Sequence, residues 1–173
     1  MTEPGTSLGA EQAAQANPTH RFRAARVTRS HTIRLNAPAD DVFPLFGPVR
    51  ESEWEPQWRP EFVAGTCGDG PSGQVFRHEA GEEFGMSTWY VADWDPANRK
   101  VRYVSFTPLR DVRVVRVEVS PVSADICAAA VSYEFTGLTD EGNGAIGEMT
   151  EGRFAGWIDE WAQAINRLLG NGA

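Results

Sequence analysis

Strict alternation of apolar and polar residues runs through much of this chain, and a helical period replaces it near the C-terminal end. In residues 27–36, His31, Ile33 and Leu35 face one way and Thr32 and Arg34 the other, the pattern of a half-buried strand. Further strands are predicted at 61–66, 74–79, 86–94, 100–106, 112–119 and 125–136. In the last of them Cys127, Ala129, Val131, Tyr133 and Phe135 alternate with Ala128, Ala130, Ser132 and Glu134. Turn residues separate the strands: a Gly-rich GDGPSG run, residues 82–85, Asp95-Pro96-Ala97-Asn98 with Pro at its second position, and short turns at 108–111 and 121–124. Connections this short make consecutive strands antiparallel neighbours.

Residues 145–169 follow a different period. At about 100° per residue, Thr150, Phe154, Trp157, Ile158, Trp161, Ile165 and Leu168 share one face of a helix. Glu148 and Glu151 suit its positive end, Arg167 its negative end, and Gly170 its termination. Residues 137–144 read as a flexible loop before it. Two short helices are expected after the first strand. One starts near Asp40, where the first turn tolerates Pro44, and the other spans 48–54. The Trp- and Pro-dense WEPQWRPEF that follows should be irregular. The predicted architecture is α+β: six or seven antiparallel strands in a curved sheet, wrapped around one long C-terminal helix.

Composition narrows the function classes. The chain has 173 residues and fits one domain, placed at 23–170, after a tail at 1–22 that is poor in large aliphatics and expected to be mobile. A formal charge of −8 disfavours nucleic acid and anionic membranes as partners. No apolar run suits membrane insertion, and no signal peptide is evident, so a cytoplasmic location is the default. Cys67 and Cys127 are far apart and lack CxxC spacing, and His20, His31 and His78 lack helical ligand spacing. Neither a metal nor any other cofactor is therefore expected, and the motifs of nucleotide binding and of Ser-based hydrolysis are absent.

The segment HTIRLNAPADDVFPLF resembles the opening strand and Ala-Pro-x-x-x-Val-Phe helix of the START/polyketide-cyclase (SRPBCC) superfamily. TWYVADWDPANRKVRYVSFTP and VRVEVSP…AAAVSYEFTGL are similar to its antiparallel strands, and the closing helix to its gripping helix. The resemblance covers roughly residues 27–169. It implies a helix-grip fold with a cavity between sheet and helix for an apolar small molecule. The superfamily includes lipid carriers, ring cyclases, ATPase activators and oxygenase domains, so fold alone does not fix function.

Within that frame Trp54, Trp58, Phe76, Trp89, Tyr103, Tyr133, Phe154 and Trp157 are candidate pocket walls, since ligand sites are mostly apolar with a few placed polar groups. Phe62 belongs to the same aromatic set, and any single member reads equally as core filling. Thr150 and an inward-pointing Arg113 are the candidate polar contacts, Arg113 for a carboxylate or enolate; a strand-end Arg also commonly reaches solvent. His31 has the chemistry of a general base, against the plainer reading of a hydrogen-bonded structural residue. The expected function is binding or carriage of an apolar or amphipathic molecule. The alternatives are a cyclase or dehydratase using the same cavity, and an interaction domain of the ATPase-activator type. The expected partner is an apolar or aromatic small molecule, and a homodimer is compatible with the sequence.

Overall fold

The computed structural model describes residues 22–65, 72–79 and 85–170. The readings of the N-terminal tail, of His20 and Cys67, and of most of the turns at 68–73 and 82–85 lie outside these residues. Seven strands form one antiparallel sheet: β1 Arg26–Leu35, β2 Glu61–Ala64, β3 Val75–Glu79, β4 Met86–Asp95, β5 Lys100–Thr107, β6 Asp111–Ser123 and β7 Ile126–Gly137. Their spatial order is β1-β7-β6-β5-β4-β3-β2. The chain therefore meanders from β2 to β7 and closes by setting β7 beside β1.

Alternation decides which face is buried. Val115, Val117 and Val119 of β6 and Val131, Tyr133 and Phe135 of β7 point into the core, while Arg116 and Glu118 point outward. The β4–β5 turn is closed by Asp95, whose carboxylate accepts from the backbone and side-chain N–H groups of Asn98, and Arg99 takes a left-handed φ of 54° there. Arg99 then reaches Asp40 across the molecule at 2.9 Å.

After β1 the chain forms α1 Ala39–Val42, which tightens into a 3-10 turn at Phe43–Phe46, with a second 3-10 turn at Arg50–Glu53. Pro44 is the cause of the tightening, because it lacks the N–H that would continue the α-helical ladder. Two indoles fasten this region. Trp54 Nε1 donates to Leu45 O at 2.8 Å and Trp58 Nε1 to Pro48 O at 2.6 Å.

The C-terminal helical region corrects the expectation of one helix over 145–169. It is two helices, α2 Asp140–Gly147 and α3 Glu151–Gly170, and the loop expected at 137–144 is largely the first of them. Thr139 caps α2 by accepting from Gly142 N at 3.0 Å, and Thr150 caps α3 by accepting from Arg153 N at 3.2 Å. Gly144 and Gly147 weaken the helix before the break. Met149 turns into the core at the break, and its carbonyl accepts from Arg29 Nε at 2.7 Å. Beyond it α3 lays Phe154, Ile158, Trp161 and Ile165 on the sheet, as its apolar stripe requires. None of the described helices is long and apolar enough to cross a membrane.

Candidate functional site

Strand register sets three rows of inward side chains. Trp89, Ser105, Arg113 and Phe135 are successive neighbours across β4 to β7. Val91, Tyr103, Val115 and Tyr133 form the next row. On the other side of the first row lie His78, Ser87, Thr107 and Asp111, all buried and all polar. The sheet thus runs from an apolar floor to a polar end within three rows.

Over these rows α3 and the segment around Glu51–Trp58 leave a cavity of about 290 Å³. Trp58, Trp89, Tyr133, Trp157 and Trp161 wall it, with Glu51, Glu55, Gln57, His78, Arg113 and Glu160 as its polar lining. A second, deeper space of about 20 Å³ continues behind it, bounded by Phe46, Tyr103, Val115 and Val117 and by five of the same residues. That is room for about one water. The aromatic rings meet steeply: Trp58 and Trp89 at 80°, Trp157 and Trp161 at 79°, and Tyr133 and Trp157 at 62°. Such edge-to-face contacts fix the ring orientations and keep the walls apart.

The polar groups differ in how far they are satisfied. Arg113 is 5% exposed and forms a two-point pair with Asp111, Nε to Oδ1 at 2.7 Å and Nη2 to Oδ2 at 3.3 Å, with Thr107 Oγ1 also 3.3 Å from Nη2. Asp111 also meets Arg110 Nε at 3.3 Å, so this one buried carboxylate serves two guanidinium groups. Glu51 is different. Among the described residues its carboxyl accepts no hydrogen bond, while burial, reinforced by Glu55, holds its pKa well above the ordinary 4.5. The accessible part of this half-buried residue opens on the cavity. Burial also pushes the Tyr133 phenol upward, Glu51 pushes it the same way, and Arg113 opposes. The Tyr133 hydroxyl is likewise unpartnered among the described residues, and so is the buried indole N–H of Trp89. His78 has its pKa lowered, chiefly by burial against Trp58, whose ring centroid is 4.3 Å away.

Of the residues singled out from sequence, Trp58, Trp89, Tyr103, Arg113, Tyr133 and Trp157 line these spaces. Tyr103 borders only the deeper one, and its hydroxyl is engaged by Phe46 O at 2.7 Å. Four do not line them. Trp54 is a core anchor packed on Trp161. Phe76 lies behind Trp58 and Trp89. Phe154 supports Tyr133 from the helix. Thr150 is exposed, because it caps α3 instead of lying within it. His31 also lies elsewhere: its Nε2 is 2.8 Å from Asp159 Oδ1 and ties β1 to α3. Trp161, expected to be plain core, is a cavity wall as well. Cys127 is a free, fully buried thiol whose pKa burial raises.

Sequence reasoning missed Glu51, Glu55, Gln57, His78 and Glu160. A signal existed for most of them. Glu51 and Glu55 interleave with Trp54 and Trp58 in ESEWEPQW, and Glu160 lies three residues after Trp157, one helical turn along the same face.

A seven-stranded antiparallel sheet gripping a C-terminal helix, with an aromatic cavity between them, defines a helix-grip small-molecule-binding protein. Residues 24–169 match the family described as polyketide cyclase / dehydrase and lipid transport, and the chain belongs to that family. It is a member of the wider START/SRPBCC superfamily, as the sequence resemblance implied. No curated protein matches the chain. Norcoclaurine synthase from Thalictrum flavum, solved with dopamine and hydroxybenzaldehyde, is similar at 17% identity and a TM-score of 0.64, covering 87% of this chain and 90% of that one. A START superfamily protein from Mycobacterium smegmatis aligns at 14% identity and a TM-score of 0.63, covering 84% and 99%. The Zhui aromatase/cyclase from Streptomyces sp. R1128 aligns at 22% identity and 0.55, covering 86% and 93%. At these identities the likeness is one of fold.

Proposed function

We propose that the protein binds and carries a compact, amphipathic molecule with an aromatic or similarly flat apolar body. The observation that carries this reading is the cavity itself: about 290 Å³, walled by four indoles and a phenol, with unpartnered hydrogen-bonding groups on Tyr133 and Trp89. Its volume is at the lower end of the range for ligand pockets, which suits one or two rings better than a long acyl chain. Stacking supplies affinity, and the few polar groups fix orientation. Native mass spectrometry of the freshly purified chain, followed by titration with a neutral solvatochromic dye, tests it. Retained ligand or saturable dye binding that Trp157→Ala weakens is the expected result. Absence of both would refute it.

One feature favours a second reading, a cyclase or dehydratase. Glu51 is a carboxyl held protonated above its ordinary range, facing a Tyr hydroxyl inside an enclosed aromatic site. Such a group can donate a proton to a departing hydroxyl and take one back from carbon. A carrier returns its ligand unchanged, whereas a dehydratase returns it lighter by one water. Mass analysis of the recovered ligand separates the two.

A further inference from the structure

The charges around the cavity do not balance. Glu51, Glu55 and Glu160 line its outer chamber. Arg113 is the sole Lys or Arg among the described lining residues, and it is tied to Asp111, only 2% exposed, through the two-point pair already described, a carboxylate that it shares with Arg110 at 3.3 Å. Of the nearby arginines, Arg50 pairs with Glu53 at 2.8 Å and Arg153 stands beside Glu148 at 4.0 Å, while Arg59 follows Trp58 in the chain and borders a separate space with Gln57 and His78. His78 is held toward its neutral form by burial. Among the described residues, the space between four indoles therefore has a surplus of carboxyl groups in its lining, and the one lining arginine is tied to Asp111.

Aromatic faces and carboxylates share one preference. Both attract positive charge, the rings through their electron-rich faces and the carboxylates directly. The Trp58–Trp89 and Trp157–Trp161 pairs each meet near a right angle, with centroids 5.5 and 5.4 Å apart, so their rings present surfaces in several directions around one space. Tyr133 is 3% exposed, and its unpartnered hydroxyl adds an acceptor to the same space. We propose that the ligand of this cavity is an organic cation, a protonated or quaternary amine joined to an aryl-sized apolar body.

This inference rests on the small-molecule reading above and specifies its ligand class. It also gives Glu51 a role. A carboxyl without a partner is costly to ionise when buried, and an arriving cation removes that cost. Glu51 should release its proton when the cation binds. The groups facing that event are Glu55 on the same segment, His78 on β3, Arg113 on β6, Tyr133 on β7 and Glu160 on α3. Of these, Glu55 and Glu160 favour the cation further.

The test uses the full chain and three probes of one shape class: benzyltrimethylammonium, its uncharged isostere neopentylbenzene, and the anion phenylacetate. Indole fluorescence and calorimetry report binding. The cation should bind about tenfold more tightly than the isostere, a difference in the range expected of a desolvated aromatic cage. Phenylacetate should be weakest. Because the cation is permanent, its affinity should rise with pH as Glu51 ionises, and its binding enthalpy should vary with the ionisation enthalpy of the buffer. Glu51→Gln should abolish the buffer dependence and move the cation-to-isostere ratio toward one. Glu160→Gln, at an exposed helix position, should lower the same ratio and provides a variant whose folding is not at risk. A cation that binds no better than a bound isostere overturns the proposal and leaves the small-molecule reading intact. If no probe binds and no ligand copurifies, both fail together.

Discussion

Trp157 and Trp161 are four residues apart on α3, and both face the cavity, yet they are held differently. Trp161 is 7% exposed and packs on Trp54, Tyr133 and Trp157, whereas Trp157 is half-buried at the opening. Trp161→Ala should cost about 3–5 kcal/mol, as for a buried aromatic whose surroundings collapse only in part. Trp157→Ala should cost clearly less and still weaken dye binding. Chemical denaturation and dye titration of both variants check this; equal destabilisation with intact binding by Trp157→Ala would make it ordinary core. Arg113 is a different case, since removing it takes the closer of two guanidinium partners from the buried Asp111 and leaves Arg110 Nε, 3.3 Å away, as the other. Arg113→Met should cost about 1–3 kcal/mol, the range for losing hydrogen bonds to a buried charge that keeps its second partner, and Asp111→Asn in the same chain should restore part of it, a double-mutant cycle read by urea midpoints. The aromatic walls were legible because alternation on β4 and β7 assigns Trp89 and Tyr133 to the buried face. Glu51 was legible only in part, through its interleaving with Trp54 and Trp58. A charged residue in a single short turn, Arg50–Glu53, gives too little period for an inward direction to be read.

At the level of elements, the strands emerged from the sequence nearly whole because one face of the sheet is buried and register is fixed by that face. The division between α2 and α3 did not. Ile146 and Phe154 both sit on buried faces, so the apolar pattern continues across a break that capping and glycine chemistry create. Thr150→Ala isolates this chemistry: it should cost about 1 kcal/mol and leave ligand or dye affinity unchanged, because the hydroxyl serves Arg153 N and not the cavity. A loss of affinity would return Thr150 to the site. Gly142 marks a second constraint on the same region. A Cβ there would stand 1.9 Å from Arg110 O, where α2 docks against the β5–β6 turn. Gly142→Ala should destabilise by about 1–3 kcal/mol, the range for overpacking that the backbone must absorb. Thermal denaturation would reveal it, and a neutral substitution would mean that α2 can move away freely. In this way the helix pair, and with it the cavity roof, is positioned by caps and one close backbone approach as much as by its apolar stripe.

For the molecule as a whole, the same enclosure that makes a binding site makes stability depend on pH in two opposed ways. Glu51 has a pKa raised well above 4.5 when folded. From about pH 4.5 upward the unfolded chain has lost that proton while the folded chain keeps it, so the folded state binds more protons and its stability falls as pH rises through the folded pKa. His78 has its pKa lowered from 6.5. Below about pH 6.5 the unfolded chain takes a proton that the folded chain refuses, so stability falls as pH drops toward the folded pKa. Glu51→Gln removes only the first effect. The variant should match the parent at acid pH, gain on it progressively as pH rises above about 4.5, and then hold a constant advantage once the parent's Glu51 is ionised in both states. Urea midpoints of parent and variant across the acid-to-alkaline range provide the measurement. A constant difference at every pH would mean that Glu51 is solvated when folded. A variant that loses stability with rising pH relative to the parent would mean that an unseen partner stabilises the carboxylate. Repeating the series with saturating benzyltrimethylammonium should shrink the variant's advantage, because the bound cation stabilises the charge that burial alone makes costly.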